Sequence, residues 1–174
     1  SFTPEIMDIV IRIAHTTGDV DFAKSFFISQ KALERGIEAA AQGCAIITDV
    51  EMVKTGIRKT WADASGCKVS CFLNDPWVIE ESKKTGQTRS HLGMEKAGKL
   101  LDNAIVAIGN APTALFKLLD MVSNNLAAPS LIIGVPVGFV GALESKQALK
   151  ESGYPAITNV SERGGSPIAS AIVN

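Results

Sequence analysis

Five short apolar runs constrain the fold of this 174-residue chain more than any other feature. Most of them are nearly continuous rather than alternating, which is typical of strands buried on both faces of a parallel sheet. Stretches with helical signals separate them, as in successive βαβ units. The pattern predicts a single domain over residues 1–174, a three-layer α/β/α fold with a five-stranded, mainly parallel sheet. The runs are 45–50, 68–73, 104–109, 130–137 and 156–160.

Capping residues predict where several helices begin. Three pairs of residues are typical of an N-cap followed by proline at the first helical position: Thr3–Pro4, Asp75–Pro76 and Ser166–Pro167. Thr88 is expected to cap the helix that follows it. A further helix is predicted over about residues 30–42, ending at Gly43.

The charge balance and the apolar runs restrict the partners of this chain. The formal net charge is −1, and no basic stripe or lysine-rich tail is present, so nucleic acid is not expected as a partner. The longest apolar run, 131–143, is interrupted by Pro136 and is shorter than the roughly 20 residues that span a bilayer. No signal-peptide pattern opens the chain. We expect a cytoplasmic protein without a membrane partner.

The cysteines and histidines give no local sign of a disulfide or a metal site. The three cysteines, Cys44, Cys67 and Cys71, are an odd number, which argues against a disulfide framework. Within one strand, Cys67 and Cys71 would lie roughly 13 Å apart, too far to bridge. His15 and His91 are distant in sequence, and no CxxC motif is present. We expect reduced thiols and no metal ligands.

The segments that follow the predicted strands are the expected ligand-binding region, because ligands of such sheets bind outside the carboxyl ends of the strands. One of these segments contains Gly134, Gly138 and Gly141, whose spacing matches neither GxGxxG nor GxxxxGK[ST]. We interpret these glycines as permitting a tight turn and close helix packing. A nucleotide-binding domain is therefore disfavoured.

Three positions, Ala111, Arg89 and His15, each allow two interpretations. Ala111 is the expected N-cap before Pro112 and has no side-chain oxygen, so a ligand carboxylate, or else water or Thr113, would satisfy the N–H groups of the first helical turn. Arg89, in a first helical turn where a cation opposes the helix dipole, is either held for a ligand or a solvated surface residue. His15 ends a helix before a carboxylate, which suits either a proton donor or a simple capping residue.

Six segments together resemble the precorrin-8X methylmutases, also called precorrin isomerases or cobalt-precorrin-8 methylmutases. The resemblance covers nearly the whole chain, in the right order. The segments are IRIAHTTGD at 11–19, LNDP at 73–76, TRS at 88–90, GNAPTAL at 109–115, GVPVGFVGALESK at 134–146 and RGGSPIASAIVN at 163–174.

The resemblance implies a flavodoxin-like fold and a homodimer with pockets near the subunit interface. It implies migration of a methyl group from C11 to C12 of precorrin-8X or cobalt-precorrin-8, giving hydrogenobyrinate or cobyrinate. The expected substrate is a tetrapyrrole with multiple carboxylates, and no cofactor is expected beyond any cobalt that the substrate carries. The alternative is a non-catalytic tetrapyrrole carrier of the same pathway, against which the intact His15 argues.

The resemblance also implies roles for individual residues. His15 matches the catalytic histidine, which is expected to protonate or hydrogen-bond the ring beside the migrating methyl group. The residues TRS match substrate-contacting positions, and Lys59 lies where relatives usually carry a basic residue. The expected substrate-binding residues are Thr16, Lys59, Asn74, Thr88, Arg89, Ser90 and Asn110.

Overall fold

A computed structural model describes residues 3–174. In these residues one six-stranded sheet has the strand order β1-β6-β5-β4-β2-β3. Strands β6, β5, β4, β2 and β3 run parallel to one another. Strand β1 pairs with β6 in the antiparallel sense. The strands are β1 (Phe27–Ile28), β2 (Ala45–Thr48), β3 (Lys68–Cys71), β4 (Ile105–Ile108), β5 (Leu131–Gly134) and β6 (Ala156–Thr158).

Helices cover both faces of the sheet. Neighbouring strand residues such as Ile46 and Ile47 belong to different apolar clusters, one on each face. One cluster includes residues of α1, α2, α3, α4 and α10, and the other includes residues of α7, α8 and α9. The helices are α1 (Pro4–Thr17), α2 (Val20–Lys24), α3 (Ala32–Ala41), α4 (Glu51–Gly56), α5 (Lys59–Ser65), α6 (Pro76–Thr85), α7 (Arg89–Ala97), α8 (Pro112–Ser123), α9 (Ala142–Glu151) and α10 (Ser166–Val173), with a 3-10 turn at Gly98–Leu101.

The prediction of five strands is wrong by one. The five apolar runs do form the five parallel strands, but a sixth strand, β1, pairs with the edge strand β6. This strand has only two residues, Phe27 and Ile28, so it is too short to register as an apolar run. This strand forms only because the tertiary structure places residues 27–28 beside β6. No helix among residues 3–174 is long and apolar enough to cross a membrane.

The predicted N-caps are confirmed at three of the four sites. The side chains of Thr3, Asp75 and Thr88 accept hydrogen bonds from N–H groups two or three residues later. At the fourth site the prediction is wrong by one residue: α10 begins at Ser166, and the cap is Gly165. Gly165 has φ 128° and donates its N–H to the Val135 carbonyl at 2.9 Å, so a conformation suited to glycine starts the helix early.

The close-packing interpretation is confirmed for Gly134, the last residue of β5. A Cβ at this position would lie 2.5 Å from Leu149 Cδ2 and 3.1 Å from Leu115 Cδ2. Both leucines are fully buried, one in α9 and one in α8. The missing side chain therefore lets both helices approach the end of β5 closely.

Candidate active site

The carboxylate of Asp49, directly after β2, organises one side of the sheet's carboxyl edge. The residue is 1% exposed. Its Oδ1 accepts the N–H of Gly109 at 3.0 Å, and its Oδ2 accepts those of Asn110 at 2.9 Å and Ala111 at 2.7 Å. Burial raises the pKa of the Asp49 carboxyl, and the three N–H donors, which favour the ionised form, oppose part of that rise. Asp49 thus ties the end of β2 to the loop between β4 and α8.

The Asp49 carboxylate bonds the loop just before α8 and not the first-turn N–H groups of that helix. Ala111 is the cap residue and makes no side-chain cap bond, as predicted. The N–H groups of Asn110 and Ala111 are bonded to Asp49, and the N–H of Ala114 is bonded to the Ala111 carbonyl at 3.1 Å. The Thr113 hydroxyl lies 2.7 Å from Thr88 Oγ1. A carboxylate does serve this loop, but the protein itself supplies it.

The first turn of α7 joins the same group of strand ends. The buried Ser90 donates its hydroxyl to the Asp49 carbonyl at 3.4 Å. Arg89 is exposed and donates from Nη1 to Asn74 Oδ1, after β3, at 3.3 Å. None of the ion pairs among residues 3–174 includes Arg89. Its charge therefore faces a neutral partner and solvent, an arrangement suited to an anionic ligand.

Five of the predicted substrate-binding residues are thus brought together at the ends of β2, β3 and β4. We call them the Arg89 flank, and they are Asn74, Thr88, Arg89, Ser90 and Asn110. Arg89 and Asn74 are bonded directly to each other, and the other three residues are bonded to Asp49 or Thr113. Neither Asp49 nor Thr113 was among the predicted site residues.

His15 lies in the last turn of α1 and is exposed. The helix ends at Gly18, which is left-handed and donates its N–H to the Ala14 carbonyl at 2.8 Å. Thr16 is also exposed, and its hydroxyl donates to the Arg12 carbonyl within the helix at 2.8 Å. Asp19, three residues after Thr16, accepts the Phe22 N–H at 2.9 Å and so caps α2.

Arg163 holds this turn against the loop after β6. Its Nη1 lies 2.8 Å from Asp19 Oδ2, and its guanidinium lies 3.8 Å from the Phe22 ring centroid. The Phe22 N–H and then Arg163 keep the pKa of Asp19 below its usual value. Because Arg163 follows β6, this contact places the end of α1 at the carboxyl edge of the sheet. We call His15, Thr16, Asp19 and Arg163 the His15 flank.

A buried lysine bonds the backbone of the His15 flank. Lys146 of α9 is 0% exposed and donates from Nζ to the Arg163 carbonyl at 2.6 Å. Asn159 Nδ2 donates to the same carbonyl at 2.8 Å. Burial lowers the pKa of Lys146 to about 8. The backbone that carries Arg163 is therefore fixed by two buried side chains.

Lys59 occupies a different place from the other predicted residues. It is exposed at the first position of α5 and lines a cavity of about 680 Å³ beside β3. Lys54, Lys68 and the acidic Asp63 line the same cavity, so its charged side chains are three lysines and one aspartate and its net charge is positive. No hydrogen bond or ion pair within residues 3–174 connects Lys59 to either flank.

Six residues of this arrangement were not predicted as site residues: Asp19, Asp49, Thr113, Lys146, Asn159 and Arg163. Asp49 and Arg163 lie at the ends of predicted strands or shortly after them, so the sequence predicts the edge of the sheet where they lie. It does not predict which residues they bond. Nothing in the sequence around Lys146 indicates that this residue is buried, because a lysine is almost never fully buried unless it is paired. Within residues 3–174 no group of three or more histidine, cysteine, aspartate or glutamate residues could hold a metal ion.

Comparison with known proteins identifies the family of this chain. The family model of Precorrin-8X methylmutase matches residues 1–174. The chain is 44% identical to the cobalt-precorrin-8 methylmutase of Methanocaldococcus jannaschii over 173 residues, which cover 99% of this chain and 79% of that protein. It is 39% identical to the precorrin-8X methylmutase of Pseudomonas aeruginosa over 172 residues, which cover 98% and 82%.

A solved structure of the same family has a closely similar fold. The crystal structure of the precorrin-8X methyl mutase from Thermus thermophilus superimposes with a TM-score of 0.91 at 33% identity, covering 99% of this chain and 85% of that one. The sequence match and the structural match both extend over nearly the full length of the chain. This chain belongs to the precorrin-8X methylmutase family.

Proposed function

We propose that this chain is the isomerase that moves a methyl group from C11 to C12 of precorrin-8X or cobalt-precorrin-8, giving hydrogenobyrinate or cobyrinate in cobalamin biosynthesis. The bond between C11 and the methyl carbon breaks, and a bond from C12 to the same carbon forms. Since donor and acceptor belong to one molecule, the reaction needs no methyl donor and no redox partner. No added cofactor is therefore proposed, and any cobalt belongs to the substrate.

His15 is the proposed catalytic residue. It is exposed at the carboxyl edge of the sheet, where it is accessible to a ligand, and the backbone around it is tied to the loop after β6. A donor on this residue protonates or hydrogen-bonds the ring as its electron distribution changes. A positioned acid of this kind typically contributes roughly 10²–10⁴-fold to the rate.

The Arg89 flank is the proposed binding site for substrate carboxylates. Arg89 has a neutral partner in Asn74, which leaves donors of its guanidinium for a bidentate contact with a carboxylate. The observation that carries the proposal is the presence of this cation and of His15 at one edge of one sheet. Thr16 is proposed to contact substrate beside His15, and Lys59 to add positive charge from the cavity beside β3.

The flavodoxin-like fold, the single domain, the cellular location and the homodimer are proposals as well. The parallel strands run β3-β2-β4-β5-β6, which corresponds to the order 2-1-3-4-5 of flavodoxin-like folds and supports that assignment. We also propose a single domain over residues 1–174, a cytoplasmic location and a homodimer. Sedimentation analysis at several protein concentrations tests the dimer.

Turnover is the test that separates an isomerase from a tetrapyrrole carrier. Purified protein is mixed in excess with precorrin-8X, and the visible absorbance is followed through a single turnover. An isomerase converts the precursor, and His15→Ala binds the product but converts precursor slowly. The proposed function would be overturned if wild-type protein binds the corrinoid but converts neither precorrin-8X nor cobalt-precorrin-8. That result would favour the carrier.

A further inference from the structure

The loop between β5 and α9 exposes two adjacent apolar side chains. Phe139 is 93% exposed and Val140 is 90% exposed, the two highest values among the exposed large hydrophobic residues of the described chain. Val137, in the same loop, is 44% exposed. Single exposed apolar residues are ordinary, but contiguous ones beside polar groups mark interaction sites. The loop follows β5 and therefore lies at the same edge as both flanks.

Contacts at both ends place this loop between the two flanks. On one side, a Cβ at Gly141 would lie 3.4 Å from Pro112 Cβ, and Pro112 adjoins Thr113, which is bonded to Thr88 of the Arg89 flank. On the other side, the Gly138 N–H donates at 3.0 Å to the carbonyl of Glu162, the neighbour of Arg163. The base of the loop is thus fixed while its apolar tip faces solvent.

We infer that Phe139 and Val140 pack against the apolar face of the tetrapyrrole ring of the substrate. The inference rests on the proposed function for the identity of the ligand. A tetrapyrrole has a broad apolar face and carboxylates around its rim, so it requires apolar contact at the centre and polar contacts on either side. The loop, with Arg89 on one flank and His15 on the other, has that distribution. An aromatic ring such as that of Phe139 stacks in an offset or edge-to-face arrangement.

A second copy of the chain is the competing occupant, and the size of the patch argues against it. An aromatic side chain buries about 150–250 Å². A stable protein–protein interface of standard size needs about 800 Å² from each partner. The three exposed apolar side chains of the loop, those of Val137, Phe139 and Val140, fall short of that area. The exposed polar residues Asn110, Thr113 and Glu162 lie beside the loop. A small ligand with an apolar face and a charged rim fits this surface better.

The test measures corrinoid affinity in loop variants. Hydrogenobyrinate is titrated by absorbance into wild-type protein, Phe139→Ala, Phe139→Leu and Val140→Ala. We expect Phe139→Ala to raise the dissociation constant about tenfold or more, with a smaller rise for the other two. Leu126→Ala is the matched control, because Leu126 is 57% exposed beyond the end of α8, away from both flanks, and its affinity should not change. In turnover, KM should rise more than kcat falls.

Sedimentation of the same variants separates the two occupants. The oligomeric state should be the same in wild-type protein and in Phe139→Ala. Unchanged corrinoid affinity with an altered oligomeric state would assign the loop to a second copy, and no change in either would overturn the inference. If wild-type protein binds the corrinoid but does not isomerise precursor, the proposed function fails, while the affinity comparison still decides the role of the loop. Circular dichroism establishes that each variant is folded.

Discussion

The two flanks of the carboxyl edge are held by different kinds of contact. The Arg89 flank is built around the buried Asp49 carboxylate, which accepts three backbone N–H groups. The side-chain link of the His15 flank is the Arg163–Asp19 ion pair, whose side chains are 53% and 38% exposed. Solvent and salt weaken an exposed pair far more than a buried one. We infer that Asp49 makes the backbone of the Arg89 flank rigid. In the His15 flank, Lys146 and Asn159 fix only the Arg163 backbone, and the exposed ion pair leaves more local freedom around the proposed proton donor.

The largest expected effect is on the rate, at the exposed flank. His15→Ala should lower kcat by roughly 10²–10⁴-fold, because it removes the proposed donor to the ring. The free energy of unfolding should change by no more than about 0.5 kcal/mol, since the side chain is exposed. Single-turnover absorbance and urea denaturation measure the two effects.

A second variant makes this prediction more specific. His15→Gln keeps hydrogen-bond donors but does not donate a proton. A rate close to that of His15→Ala would indicate protonation, whereas a rate near wild type would indicate a hydrogen bond only. A near-normal rate in His15→Ala itself would reduce this residue to a helix-capping role.

The second effect is on stability, at the buried flank. Asp49→Ala should lower the free energy of unfolding by about 2–4 kcal/mol, because a buried N–H that loses its partner costs roughly 1–3 kcal/mol. The buried Gly109 N–H contributes most of this loss. Asp8→Ala, at an exposed position of α1, is the control and should change stability little. A loss below about 1 kcal/mol in Asp49→Ala would show that water replaces the carboxylate and that this flank is not rigid.

The third effect is on binding. Arg89→Ala should weaken product binding about 10–100-fold, the equivalent of one or two charge-assisted hydrogen bonds. Stability should stay the same or rise slightly, because the variant removes a cation from the positive end of the α7 dipole. Absorbance titration with hydrogenobyrinate measures the affinity. Wild-type affinity in this variant would show that Arg89 is a solvated surface residue, and the Arg89 flank would lose its proposed role.

The fourth and smallest effect concerns the buried support of the His15 flank. Lys146 has a pKa of about 8 in the folded chain and an ordinary value of 10.5. Between those values the unfolded chain binds more protons, so this lysine makes the free energy of unfolding rise with pH, by roughly 1 kcal/mol per pH unit. Below pH 8 it is charged in both states and contributes no slope.

Lys146→Met should therefore remove the part of the rise between pH 8 and pH 10 that is due to this lysine, as measured by urea denaturation at each pH. The exposed Lys83→Met is the control and should keep the wild-type slope. Identical slopes in the two variants would mean that Lys146 reaches water in the folded chain.

Local sequence determined most of the secondary structure of this protein. The five parallel strands coincide with the apolar runs, because strands buried on both faces must be almost wholly apolar. The starts of α1, α6 and α7 follow from Thr3, Asp75 and Thr88, because an N-cap acts on N–H groups only two or three residues away. The parallel arrangement also predicts the edge at which a ligand binds.

Only the tertiary structure decided which side chains meet at that edge. Asp49 reaches N–H groups 60 to 62 residues away, and Arg163 reaches Asp19 across 144 residues. The pairing of β1 with β6 is equally non-local, and Phe27–Ile28 alone carries too little pattern to reveal it. Lys146 reads as an ordinary surface lysine of α9 until the loop after β6 closes over it. A residue's own preferences act over one or two helical turns, whereas these contacts exist only because the sheet brings distant loops to one edge.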